Sequence, residues 1–166
     1  EGQGLHKILP AVALKSNAHF KIIGAGGRRN TLVEALNLAA VRNVELIDPM
    51  PRSQLIDQYL GADFLFLHLN DFPAFEKVIP SKVFEYAATG KPIIAGISGY
   101  GAKFISENIA GADVFAPCDV DAMISAINKK AKGADAYNRT EFIVKFDRKT
   151  IMAQMANEII QSRKSS

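Results

Sequence analysis

Tryptophan is absent, cysteine occurs once, at Cys118, and histidine three times. A single cysteine excludes an internal disulfide framework and any cysteine-based metal cluster, and points to a reducing compartment. His6, His19 and His68 lack metal-ligand spacing, and no acidic cluster suits a cation. No apolar run reaches the roughly 18 residues that span a bilayer, and the first residues lack a signal-peptide pattern. Internal repeats and low-complexity linkers are missing. Aromatic and basic residues are not interleaved as a nucleic-acid surface requires. No Ser-His-Asp arrangement can be read. Neither sign of charge dominates: 20 Lys and Arg against 17 Asp and Glu leave +3, a mildly basic solvated surface with some preference for anions.

What is present suits one soluble globular domain: 166 residues, 48% hydrophobic and 22% charged. Leu5, Ile8, Leu9, Val12 and Ala13 have helical spacing. HFKIIG, residues 19–24, reads as a strand ending in glycine. A helix follows from Asn30 or Thr31, where Thr31 and Glu34 fit a capping box, with Leu32, Leu36 and Ala39 or Ala40 as its core face. VELID, 44–48, is the next strand; Pro49 and Pro51 end it, and Ser53 caps a helix through Leu60. ADFLFLHL, 62–69, suits a strand buried on both faces, followed by an irregular loop, NDFPAFEKV. After PIIAG comes the loop SGYG, a helix over 102–108, the strand ADVFAP, and a helix capped by Asp119 to about Lys132. Arg139–Phe146 is one helical piece and Asp147 caps another. Ile151, Met152, Met155 and Ile159 form an apolar face that packs against something, and QSRKSS frays.

Strands alternating with helices predict an α/β fold, a doubly wound parallel sheet (Rossmann-like) flanked by helices. In such sheets ligands bind at the carboxyl ends of the strands. Gly24–Gly27, Pro49–Arg52, Asn70–Lys82 and Gly96–Gly101 all fall there. The first helix has no strand before it, so the chain starts inside a βα unit.

The chain is organised around Ile79–Ala95, IPSKVFEYAATGKPIIA. Pro80 and Ser81 mark a helix start, with Ser81 as cap; Gly90 and Pro92 stop it. The amides of Ser81–Val83 offer an anion site to which Lys82 adds charge. Glu85, one turn deeper among apolar neighbours, can accept two ribose hydroxyls at once, or pair with Lys82 or Lys91. Gly99, Tyr100 and Gly101 precede a helix and suit a diphosphate, or are a loop that needs glycine. Gly24-Ala25-Gly26-Gly27 approaches a dinucleotide fingerprint with Asp48 as the ribose acid, but Arg29 stands at the third glycine position. A plain βα turn accounts for it better. His68 reads as a satisfied core histidine.

The segments GQGLHKILPA, FKIIGAGG, NVELIDPMPRSQL, GADFLFLHL, PSKVFEYAATGKPII and GYGAKFISENIAGADVFAPCDVDAMISAI give the order of motifs a family pattern. Over nearly its whole length the chain resembles the C-terminal, donor-binding domain of GT-B glycosyltransferases, the retaining family 4 (group 1) enzymes. The Pro-Ser-Lys form before the glutamate is most similar to enzymes that assemble bacterial O-antigens, capsules and exopolysaccharides.

The resemblance implies a nucleoside-diphosphate sugar, UDP- or GDP-linked, as donor, a hexosyl or N-acetylhexosaminyl group transferred with retention, and neither cofactor nor metal. It implies that Glu85 holds the donor ribose. The family's first glutamate falls at Lys77, with Glu76 beside it. Of the family's basic pair, the lysine position falls at Gln3 and the arginine precedes the chain, which leaves Lys82 and the Gly99–Gly101 amides for the diphosphate. Tyr100 lies near the phosphates, Pro51 and Arg52 border the base, and Gly24 and Gly26 form the glycine turn. Ser81, Val83 and the residues just named complete the expected donor site; catalytic residues stay unassigned.

The resemblance further implies that residues 1–166 are one nucleotide-sugar domain, with 146–166 as a helix and tail returning toward an N-terminal acceptor domain. That domain and the first strand, central between the strands at 20–24 and 63–68, lie outside the chain. The implied acceptor is a lipid-linked saccharide, and the implied location cytoplasmic, peripheral on the inner face of the membrane. The domain alone is expected to turn nothing over. Three other readings stay open: an NAD-dependent oxidoreductase domain, a sugar-nucleotide epimerase of the same architecture, and a non-catalytic interaction domain.

Overall fold

The short apolar runs have no hairpin turn between them, so each must reach its sheet neighbour through a crossover, and crossovers give parallel pairing. A computed structural model of the chain describes residues 2–130 and 136–164, without the side chains of 158, 159 and 161–164. In order the elements are α1 (Leu5–Lys15), β1 (Phe20–Ile23), α2 (Arg29–Leu38), β2 (Val44–Ile47), α3 (Arg52–Gly61), β3 (Leu65–His68), a 3-10 turn (Pro73–Lys77), α4 (Lys82–Ala88), β4 (Ile93–Gly96), α5 (Gly99–Asn108), β5 (Ala112–Phe115), α6 (Val120–Lys130), α7 (Thr140–Phe146) and α8 (Arg148–Lys164). The α/β class and parallel pairing follow the expectation.

The sheet is in two pieces. β1 pairs with β2, Phe20 opposite Val44 and Ile23 opposite Ile47. β4 lies between β3 and β5, with Ile93 opposite Leu65 and Ala112. Between β1 and β3 there is a cleft of about 680 Å3, lined by both strands and by Leu55, Tyr59 and Tyr86. It falls where the resemblance places the central strand.

Helices cover both faces. Ile93, Ala95 and Ile97 join the core of α4, α5 and Phe142, whereas Ile94 joins that of α1, α2, α6 and Phe115. This alternation of one strand between two cores is what a doubly wound layer requires. All of Ile93–Gly96 is buried, and each fully buried isoleucine contributes roughly 1.5–3 kcal/mol. Phe84, Phe104, Phe142 and Phe146 stack in one cluster, ring centroids 4.7 to 6.3 Å apart, which fastens α7 to α4 and α5.

Several boundaries differ from the sequence reading. Asp119 caps α6 through the Ala122 amide at 2.9 Å, and Asp147 caps α8 through those of Lys149 and Thr150. Thr31, Ser53 and Ser81 cap nothing with their side chains, because α2 already starts at Arg29, α3 at Arg52, and Ser81 has helical backbone (φ −57°, ψ −30°). β3 pairs only over 65–68, the segment after it contains a 3-10 turn, and SGYG is itself the start of α5. Ala39 only ends α2 and Ala40 is exposed at φ 52°. Met152 and Met155 of α8 are exposed, so its apolar face is not core here. α8 stays helical to Lys164. The predicted α6 end near Lys132, the side chain of Ile159 and the last two residues lie outside the described residues.

Asn43 does work the sequence did not announce. Its Nδ2 donates to the carbonyls of Ala13 and Ala18 at 2.9 Å and of Ser16 at 3.3 Å. Those groups lie at the end of α1 and in the link to β1, where helical partners run out. Asn43→Ala is expected to cost about 1–2 kcal/mol, measured as a shift in the urea midpoint.

Candidate functional site

The loops after β1, β2, β3 and β4 all emerge at the carboxyl ends of parallel strands and gather at one edge. Two buried polar residues tie that edge together. His68 is 2% exposed. Its Nδ1 donates to the Gln3 carbonyl in a short bond, and Nε2 accepts the Cys118 amide at 2.9 Å. These roles fix the neutral tautomer with hydrogen on Nδ1. Cys118 itself sits in left-handed backbone, φ 63°. Asn70 follows: its amide donates to the Gly2 carbonyl at 2.8 Å, and its Oδ1 accepts from Lys7 Nζ at 2.8 Å and the Asp71 amide at 3.1 Å. Gly4, at φ 57°, packs on the Asn70 side chain, which lies 3.0 Å from where a Cβ would stand. Segments far apart in sequence are thereby held in one arrangement.

Burial is the main influence on the His68 pKa and lowers it; the bond to Gln3 opposes this, and the Lys7 charge adds to the lowering. The folded chain therefore refuses a proton that the unfolded chain takes up below about pH 6.5. Stability is fully present above that value and falls as the pH drops below it. The expected slope is at most about 1.4 kcal/mol per pH unit, seen in urea melts between about pH 7.5 and 5.5 and absent in His68→Gln.

Helices α3 and α4 bring Arg52, Lys82 and Glu85 together. The Glu85 carboxylate lies 3.9 Å from Arg52 Nη1 and 3.9 Å from Lys82 Nζ. It is 38% exposed, so it is a half-open group held between two cations and not a carboxylate in apolar surroundings. The Lys82 pairing named as the alternative is present. Lys82 Nζ also donates to the Tyr59 hydroxyl at 3.1 Å and lies over the Tyr59 and Tyr86 rings. Burial, then the neighbouring Tyr59 and Glu85, raises the Tyr86 pKa, so its phenol stays protonated. Val83 is buried and its amide donates to the Pro80 carbonyl at 3.0 Å, which leaves the amides of Ser81 and Lys82 at the helix start.

Gly99 and Gly101 form the first turn of α5 beneath the 3-10 turn. Gly99, at φ 63°, abuts the Glu76 backbone, and a Cβ at Gly101 would lie 2.6 Å from the Val78 carbonyl. Close packing therefore requires both glycines. It also fixes Glu76 and Lys77 over the start of α5, while Tyr100 points outward, 59% exposed.

Gly24 and Gly26 sit elsewhere, beside a second cavity of about 360 Å3 lined with Gln3, Gly4, Arg28, Arg29 and Leu46. Arg29 Nη1 donates to the Gly24 carbonyl at 2.9 Å and to Ile47 at 3.3 Å, and Nη2 pairs with Asp48 at 3.1 Å. The guanidinium and the acid of the incomplete dinucleotide pattern are thus engaged with each other and with the strand ends. Pro51 is the residue from which α3 starts. Gln3, Gly24 and Lys82 all line the larger cleft, which connects the α4 side to the glycine turn. Among the described residues no group of three or more His, Cys, Asp or Glu is placed to hold a metal ion, and no helix is long and apolar enough to cross a membrane.

Residues 1–142 match the family model described as glycosyl transferases group 1. Comparison with curated proteins gave no match. Among solved structures, the crystal structure of Anabaena HepE in complex with UDP and glucose is similar to this chain, with a TM-score of 0.68 at 19% identity. The match covers 95% of this chain and 44% of that one, so the chain spans less than half the length of that protein. At this identity the likeness is one of fold.

Proposed function

The chain belongs to the group 1 glycosyl transferases, and on that premise we propose that it is the donor-binding half of a retaining enzyme, taking a UDP- or GDP-linked hexose or N-acetylhexosamine. The observation that carries the reading is the Arg52–Glu85–Lys82 group at the carboxyl edge of the sheet. A carboxylate oriented by two cations is preset to accept two vicinal ribose hydroxyls. Lys82 and the first-turn amides of α5 supply positive potential for the diphosphate, whose charge grows as the sugar leaves. Arg52 and Pro51 border the base, Tyr100 lies beside the phosphates, and Ser81 and Val83 shape the helix start. Gly24 and Gly26 give the turn that closes the far side. Glu76 and Lys77 stand nearest the sugar. The UDP and glucose in the similar solved structure support this choice of ligand class.

In this reading the acceptor, a lipid-linked saccharide, is held by a separate N-terminal domain. The 166-residue chain binds donor without transferring sugar, in the cytoplasm at the inner face of a bacterial membrane, for surface polysaccharide assembly. A thermal-shift series with UDP, GDP, ADP and NAD tests the ligand class. At a hundredfold excess over its Kd, one nucleoside diphosphate is expected to stabilise the chain by about 2.7 kcal/mol, and NAD not at all. Stabilisation by NAD alone would overturn the proposal.

A further inference from the structure

Lys7 carries a charge that the protein holds in place and does not neutralise. It lies in the first turn of α1 and its side chain reaches the carboxyl end of β3. Its Nζ donates to Asn70 Oδ1 at 2.8 Å and stands 5.2 Å from the centre of the Phe72 ring. Both holding groups are themselves fixed. Asn70 is 2% exposed, and its amide donates to the Gly2 carbonyl. The Phe72 amide donates to the Asn70 carbonyl at 2.9 Å. Among the described residues no carboxylate lies within 4 Å of Lys7 Nζ, whereas Arg29, Arg52 and Lys82 at the same edge each have one. Immobilising a lysine costs rotamer freedom, and no ion pair offsets that cost here. An ammonium has three donors, of which Asn70 takes one. The residue is exposed, so the others are open to a ligand. This is a cation preset for a negative charge that arrives from outside.

The segment from Asn70 to Val78 links this ammonium to the donor groups. Phe72 packs on Phe75, ring centroids 5.9 Å apart, and the next residue, Glu76, has its backbone against Gly99 at the start of α5. Lys7 stands by the end of β3 and the first-turn amides of α5 by the end of β4, and these strands are neighbours, His68 opposite Gly96. Near neutral pH a diphosphate carries about one negative charge or more on each phosphate. On the ribose side Arg52 and Lys82 flank Glu85, which offsets one of their two charges. What remains there matches the proximal phosphate, and the distal one calls for a cation of its own.

We propose that Lys7 binds the distal phosphate of the donor, the one joined to the sugar, while Lys82 meets the proximal one. The proposal rests on the donor reading above and adds a residue to it. Asn70 and the Phe72 ring hold the ammonium from behind, and its free N–H groups donate to the phosphate oxygens as charge-assisted bonds.

The test is isothermal titration of the unaltered chain and of Lys7→Gln with UDP and GDP and with the matching monophosphates, UMP and GMP. Affinity for the diphosphate that binds is expected to fall at least about tenfold in Lys7→Gln. Affinity for its monophosphate, which has no distal group, is expected to change less than about twofold. The tenfold gap is expected to narrow as salt is raised from about 0.05 to about 0.5 M, because screening weakens a charge contact and leaves a packing defect unaltered. Urea melts report that the variant is folded. In the unaltered chain the Cε resonance of Lys7 is expected to shift with the diphosphate and not with the monophosphate, a readout independent of any variant. Equal diphosphate affinity in Lys7→Gln, equal losses for diphosphate and monophosphate, or an unmoved Lys7 resonance would each overturn the proposal and leave the donor reading standing. Failure of the unaltered chain to bind either nucleoside diphosphate would overturn both.

Discussion

Glu85→Ala is expected to cut the stabilisation that a nucleoside diphosphate gives this chain from about 2.7 kcal/mol to about 0.4–1.4 kcal/mol at the same ligand concentration, while leaving the chain folded. The two effects have separate sources. In the unliganded protein the carboxylate is 38% exposed and 3.9 Å from each cation. Such pairs contribute about 0–1 kcal/mol, and alanine is the better helix former, so the melting temperature should move by no more than about 3 °C. In the complex, one hydrogen bond from a ribose hydroxyl to a carboxylate is worth roughly 1.5–3 kcal/mol, a 10- to 100-fold loss of affinity when removed. Glu85→Gln keeps the shape but weakens the acceptor and falls between. Isothermal titration with UDP and GDP checks the loss; unchanged affinity in Glu85→Ala would remove this residue from the site.

Gly99→Ala is expected to cost about 2–5 kcal/mol of folding stability. The added Cβ would stand 2.6 Å from the Glu76 Cα and 2.7 Å from its carbonyl carbon, both backbone atoms that cannot turn aside. Overpacking of that kind costs about 1–3 kcal/mol, and a left-handed φ of 63° at a non-glycine residue roughly 1–2 more. Gly26→Ala is the control. A Cβ there meets nothing within 4 Å, and the change should stay within about 0.5 kcal/mol. Chemical denaturation of both variants decides it. Equal stabilities would mean that Gly99 is not held by packing and would return it to a role in close approach of a ligand alone.

The sequence made the fold legible where a local pattern carries the information. The apolar run at 93–95, bracketed by Gly90 and Gly96, reads as a buried strand, and β4 is one, buried along its whole length. Asp119 and Asp147 cap because each precedes its helix in a turn. Ser81 looks equivalent on paper, yet its backbone is already helical and the Pro80 carbonyl takes the Val83 amide. Cap chemistry depends on the dihedral at the cap, which a residue name does not state.

The site was legible in part. Glu85 and Lys82 lie one turn apart, so their proximity follows from helical spacing. Arg52 reaches the same carboxylate from a different helix, and only tertiary packing shows it. The surroundings of Glu85 were misread for the same reason: its apolar neighbours in sequence, Val83, Tyr86 and Ala87, turn into the core and leave it at the rim. His68 announced itself as a polar residue in a buried run, but its partners, Gln3 and Cys118, are 65 and 50 residues away. The glycines at 99 and 101 read equally well as an anion loop or a packing requirement, and only the position of Glu76 and Val78 distinguishes the two.

Backbone NMR with a titration of UDP and GDP tests the donor-site account most directly. It predicts saturable shifts at the amides of Lys82, Glu85 and Gly99–Gly101, with the midpoint moved at least about tenfold to higher ligand in Glu85→Ala. Shifts confined to Gly24–Gly27, or elicited by NAD and by neither nucleoside diphosphate, would contradict it.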